Sequence, residues 1–177
     1  MTRYSADTKV RLLLAILVAI AVLLRFGEAM FTMPTQLAGA KPGLTNCITI
    51  ICLYSFGLRL SSLYLFTRIL LTGLLITGLF TPTFFIGGAG AVASLFTMHY
   101  AIKLKIFSPP GVGIIGAATH NMMQLLTASV LMNTTAVLDY WPLLLLLSIP
   151  FGLFTGYIAQ VLLPRLQHFL KGFVNKA

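Results

Sequence analysis

The residues best suited to chemistry lie in one stretch, Gly113-Ile-Ile-Gly116-Ala-Ala-Thr119-His120-Asn121-Met-Met-Gln124. His120 and Gln124 are four apart, so on a helix they share a face, which Asn121 flanks. A neutral imidazole and two amides offer donors and acceptors without importing net charge. That set suits a polar ligand group. It suits equally well the hydrogen bonds that glue one membrane helix to another, and the residues alone leave both readings open. Gly113, Gly116, Ala117 and Ala118 keep the helix thin, so another group can come close. Arg68 sits within an apolar run with no acid near it in sequence. An unpaired guanidinium there is very unfavourable. It requires a partner, and the choices are Glu28, a helix C-terminus or an anionic ligand. Thr45 and Asn46 open a second apolar run. Arg25 and Glu28, three apart, close the first and are spaced to pair with each other. The candidate ligand-binding set is therefore His120, Asn121, Gln124, Arg68, Asn46 and Glu28.

Other chemistries are missing their parts. The acids are three, Asp7, Glu28 and Asp139, all isolated. They cannot form the carboxylate cluster that holds magnesium on a diphosphate. No Gly-x4-Gly-Lys-Ser/Thr loop and no Gly-x-Ser-x-Gly elbow occurs. His99 falls near the end of one apolar run and His120 midway along another, so a haem pair is not expected. Cys47 and Cys52 are five apart, off the spacing of a helical face pair, and read as ordinary packing. No catalytic residue, cofactor or metal site is expected.

The elements that position these residues follow from composition. The chain has 177 residues, of which 58% are hydrophobic and 8% charged, with a mean hydropathy of +0.97. Soluble domains carry roughly 25% charged residues, so a soluble fold lacks the polar surface it needs. Long continuous apolar runs exclude the alternating pattern of a membrane β-barrel. An all-α integral membrane protein remains. At about 20 residues per crossing, six spans fit: 9–26, 44–56, 60–79, 83–102, 112–131 and 142–163. The excess of 12 basic residues over three acids lies mostly at the ends of apolar runs. It reads as topology and lipid headgroups, with no nucleic-acid partner. With a cytoplasmic N-terminus, the inner segments hold Arg3, Lys9, Arg11, Arg59, Lys103, Lys105, Arg165, Lys171 and Lys176, and the outer ones hold Lys41. That asymmetry places both termini in the cytoplasm. Residues 1–164 form the transmembrane domain. Residues 165–177 form a basic tail, either an amphipathic helix on the inner leaflet, with Leu166, Phe169, Leu170 and Phe173 on one side, or a continuation of the last span.

Three small-xxx-small pairs, Ala15/Ala19, Ala89/Ala93 and Gly152/Gly156, allow close helix approach, either within the bundle or to a partner subunit. Three stretches carry a family resemblance: Gly43-Leu44-Thr45-Asn46, Arg68 to Ser94 with its glycines and Phe84, and Phe107-Ser108-Pro109 leading into Gly116 to Leu126. From about Leu12 to Leu163 the chain resembles the Gx transporter family, also labelled heptaprenyl diphosphate synthase component I. That family is similar in size and span count to the S components of energy-coupling-factor vitamin transporters. The resemblance implies a substrate-binding subunit of the cell membrane, with Ala15 and Ala19 docking a transmembrane coupling subunit that works with ATPases. It implies a ligand near the outer side, such as a vitamin or related precursor. A non-catalytic accessory role in isoprenoid or quinone metabolism, or in flavin- and quinone-linked electron transfer, is the alternative. It would bring a lipid-like ligand.

Overall fold

The computed structural model describes residues 8–30 and 43–174, with side chains over 8–28 and 43–168. Its long elements are five helices: α1 (Thr8–Met30), α2 (Leu44–Thr72), α3 (Pro82–Leu104), α4 (Pro109–Leu131) and α5 (Trp141–Val174). A π-helical turn (Gly73–Thr77) follows α2, and a 3-10 turn (Ala136–Tyr140) precedes α5. No strand occurs among the described residues. Most of the connection between the first two expected spans, Lys41 included, lies outside the described residues.

The second and third expected spans are the two arms of α2. Gly57, at φ 76° and ψ −178°, breaks the helical path between them. That region of backbone space is essentially open to glycine alone. The arms turn back on each other. Tyr64 of the second arm lies beside Thr49 of the first, although a straight helix would separate them by about 22 Å at 1.5 Å per residue. Asn46 and Arg68, near opposite ends of α2, line one cavity.

The first arm is the centre of the bundle. Every residue from Thr45 to Leu53 is buried, as expected for a helix that is apolar all round and enclosed by protein. At about 20 Å long it is shorter than the hydrocarbon layer. Packed on it is the face of α1 formed by Val10, Leu14, Leu17, Val18 and Ala21. These follow the 3.6-residue period. The opposite face of α1, with Leu12, Ile16, Ile20, Leu23 and Phe26, is exposed.

Caps are legible in the sequence. Thr81 accepts the Phe84 N–H and Pro82 occupies the first turn of α3, the preferred residues for those places. Pro109 and Pro110 open α4 after Ser108. Between α4 and α5 the backbones touch. A Cβ at Gly152 would stand 2.5 Å from Ile114 Cα, and one at Gly156 2.5 Å from Pro109 O. A Cβ at Gly113 would collide with the Gly152 carbonyl oxygen. The Gly152/Gly156 pair thus serves packing within the chain. α5 passes through Pro150 and Pro164 and continues to Val174. Residues 165–174 of the tail thus continue the last helix, and the side chains from residue 169 lie outside the described ones.

Four helices are long and apolar enough to cross a membrane: Thr8–Glu28, Leu44–Thr77, Pro82–Leu104 and Ala136–His168. α4, which carries the polar block at residues 119–121 and 124, is not among them. Large apolar side chains cover the exterior, including Leu23, Phe66, Leu74, Phe80 and Leu146, each more than 60% exposed. Contiguous apolar surface on this scale calls for lipid in place of water.

Candidate functional site

All five helices contribute to one cavity of about 900 Å³, open mouth included. Arg25 enters from the end of α1. Gly43, Thr45 and Asn46 come from the start of α2, and Arg68, Ile69 and Thr72 from its second arm. α3 supplies Thr83, Phe84, Gly87 and Gly88; α4 supplies Ala117, His120, Asn121 and Gln124; α5 supplies Phe151 and Thr155. The reversal at Gly57 is what brings both ends of α2 to this place. Glycine at position 90 lets α3 close on α4 there. A Cβ at Gly90 would stand 2.9 Å from the His120 carbonyl oxygen and 2.9 Å from Gln124 Cγ.

Five of the six expected ligand-binding residues converge on the cavity. Arg68 is 7% exposed. Its Nη1 is buried with no hydrogen-bond partner, and no ion pair to it exists among the described residues, where Arg25–Glu28 is the pair formed. The expectation of burial holds; of the three partners expected, Glu28 is bound to Arg25 instead, which leaves a helix C-terminus or an anionic ligand. Tyr64 lies beside Arg68, yet its hydroxyl also lacks a hydrogen-bond partner. His120 lines the cavity with a buried, unpartnered Nδ1. Gln124 sits four residues on, its stem against Gly90. Asn46 is buried, and its backbone N–H closes the first turn of α2 on the Gly43 carbonyl at 2.8 Å.

Two members have other work. Asn121 donates through Nδ2 to Ser148 Oγ at 2.9 Å and to the Leu144 carbonyl at 3.3 Å. It is helix glue between α4 and α5, with its carbonyl oxygen as remaining capacity. Glu28 does not line the cavity. It accepts from Arg25 Nη1 at 3.3 Å and from the Leu44 backbone N–H. One carboxylate thus pins a basic side chain of α1 and satisfies an orphan donor at the start of α2, where negative charge is favoured. This corrects the ligand assignment of Glu28, because both of its oxygens are engaged.

The sequence placed Phe84 and the glycines of Arg68 to Ser94 in the family resemblance but not among the ligand-binding residues, and it did not point to Phe151. A helix-period stripe of Phe84, Gly87, Gly88 and Ala91 was a signal for the α3 residues, since it puts a flat surface on the inner face of α3. His99 is buried but does not line the cavity, so the two histidines do not share a site. Among the described residues no group of three or more His, Cys, Asp or Glu is placed to hold a metal.

Ala15 and Ala19 stand apart from the cavity on the outward face of α1, both exposed. They take no part in packing the bundle. Ala89 and Ala93 are half-buried.

Long apolar helices and a lipid-type exterior define a helical membrane protein. The chain belongs to the family described as heptaprenyl diphosphate synthase component I, whose match spans residues 17–162. No curated protein and no solved structure matches it.

Proposed function

We propose that the chain is the membrane-embedded, substrate-binding subunit of a transporter, similar to an S component. It captures a small, partly polar molecule and draws its energy from other subunits. In this reading six helical segments, counting the arms of α2 separately, lie in the bacterial cytoplasmic membrane, and both termini face the cytoplasm. The chain is not itself an enzyme.

The cavity is the observation that carries the reading. Polar groups inside a membrane bundle are costly and usually serve a site or bind each other. Here Asn121 is bound to α5, but Arg68 Nη1 and His120 Nδ1 are buried without partners. A cavity edged by such groups, with Phe84 and Phe151 beside them, has the mixed lining of a small-molecule site. The outward position of Ala15 and Ala19 supports a second part of the reading. A small-residue face on the outside of α1 lets a partner helix approach closely, which suits a transmembrane coupling subunit with its ATPases.

The test is co-expression with a coupling subunit and two ATPases, followed by purification in nanodiscs. A stable complex that is lost on Ala15→Leu/Ala19→Leu is expected. Failure to associate with the partners present contradicts the transporter role.

The family description favours a second reading, a non-catalytic membrane partner in isoprenoid or quinone metabolism. That role predicts a polyprenyl or quinone species carried by the purified protein, where the first predicts a vitamin-like compound.

A further inference from the structure

Resting on the reading of the cavity as a binding site, we propose that its ligand is an organic anion whose carboxylate or phosphate group sits on Arg68. The argument is one of charge balance. Arg25 and Arg68 both line the cavity. Glu28 is the acid near them, and it is occupied by Arg25 and by the Leu44 N–H. One positive charge is left over, on a guanidinium that is 7% exposed with a buried, unpartnered Nη1.

Among the described residues the one other side-chain carboxylate is that of Asp139. Asp139 lies in the 3-10 turn Ala136–Tyr140 and does not line the cavity. Asp7 is joined to Thr8, about 26 Å along α1 from Arg25 at 1.5 Å per residue. Residues 31–42, which join α1 to α2, contain neither Asp nor Glu. A buried charge without a counter-charge is strongly unfavourable, so the complement comes from outside the chain. A planar guanidinium matches the fork of a carboxylate or phosphate.

The rest of the lining describes the remainder of the molecule. Gln124, His120 and Asn46 offer uncharged donors and acceptors. Phe84 and Phe151 offer apolar surface, which fits a body with rings or methylene groups. A free anionic metabolite and a lipid headgroup present the same oxyanion, and the experiment separates them.

The full chain is reconstituted in nanodiscs of phosphatidylcholine, with and without phosphatidylglycerol, and its melting temperature is followed while inorganic phosphate is titrated. Arg68→Met, Arg68→Lys and the wild type are compared. Without phosphate, Arg68→Met melts a few degrees above the wild type, because the substitution removes an unpaired charge and keeps the side-chain length. Phosphate then raises the wild type and leaves Arg68→Met unmoved. Arg68→Lys, which folds with the charge retained, responds with a midpoint about tenfold higher, as the fork is lost. A rise produced by phosphatidylglycerol alone, absent from Arg68→Met, assigns the anion to a headgroup; a rise with soluble phosphate alone assigns it to a metabolite. Arg68→Met melting below the wild type, or phosphate acting equally on wild type and Arg68→Met, or neither phosphate nor phosphatidylglycerol raising the wild type, overturns the proposal. An anion-binding chain that fails to join a coupling subunit keeps this inference and sinks the transporter role. A chain that joins the subunit but responds to no anion does the reverse.

Discussion

The contact between α4 and α5 makes a sharp prediction. Gly113, Gly152 and Gly156 meet backbone to backbone, and a methyl group on any of them falls within 3.0 Å of main-chain atoms on the other helix. Main chain cannot rotate out of the way as a side chain can. Gly113→Ala therefore forces the helices apart, and overpacking of this kind costs about 1–3 kcal/mol. For a chain of this size each kcal/mol moves the melting temperature by about 2–4 °C, so Gly113→Ala, at about 1–3 kcal/mol, is expected to melt about 2–12 °C lower. The control is Gly87→Ala on α3, where a Cβ meets nothing within 4 Å; it should melt at or above the wild-type temperature, since alanine favours helix over glycine. The double variant Gly113→Ala/Gly152→Ala should lose less than the sum of the singles, because the first methyl has already opened the gap. Thermal unfolding in nanodiscs reads the wild type and the four variants, Gly152→Ala included. Gly113→Ala melting within a degree of the wild type, or strictly additive losses, refutes the reasoning. The same separation stretches the bond from Asn121 to Ser148, so ligand retention should fall along with stability.

Gly57→Ala meets no steric clash, since a Cβ there has nothing within 4 Å, but it strains the backbone reversal by about 1–3 kcal/mol; the yield of folded protein should drop, while Gly27→Ala leaves it unchanged. His120→Ala and Gln124→Ala should weaken ligand retention with membrane insertion intact, whereas Asn121→Ala, which breaks two bonds to α5, should lower the melting temperature first. Equal losses of folded protein in all three would make the whole cluster helix glue. Glu28→Gln weakens the tie between α1 and the start of α2; a loss of about 1–3 kcal/mol is expected, read as a lower melting temperature, and an unchanged one would contradict it.

Much of the architecture was legible because lipid imposes strong patterns. Apolar runs and their basic ends marked a helical membrane protein, whereas the helix starts at Pro82 and Pro109 lie one and three residues before the expected 83 and 112. The three positions between the second and third expected spans contained the reversal, but sequence did not single out Gly57, since a positive φ leaves no mark beyond the glycine itself. Nor did it show that Thr45 to Leu53 is enclosed by protein. An apolar segment reads alike whether lipid or helix surrounds it. Within the site, Arg68 was found because a lone charge in an apolar run violates a general rule. Asn121 and Gln124 look equivalent in sequence, yet one is spent on Ser148 and the other is left at the cavity, a difference set by the helix facing each. Glu28 was open between pairing with Arg25 and a ligand role and was placed in the ligand set, whereas the structure contains the pairing. Phe84 was left out of the ligand set and Phe151 was missed because aromatic residues are too common in membrane helices to stand out.

Native mass spectrometry of gently purified protein addresses the central claim, that the cavity exists to hold a guest. The wild type should carry a small species of fixed mass bearing a carboxylate or phosphate, and Arg68→Met and Gln124→Ala should carry little or none. A wild type that flies bare, or variants that retain the same species in equal amount, would contradict it.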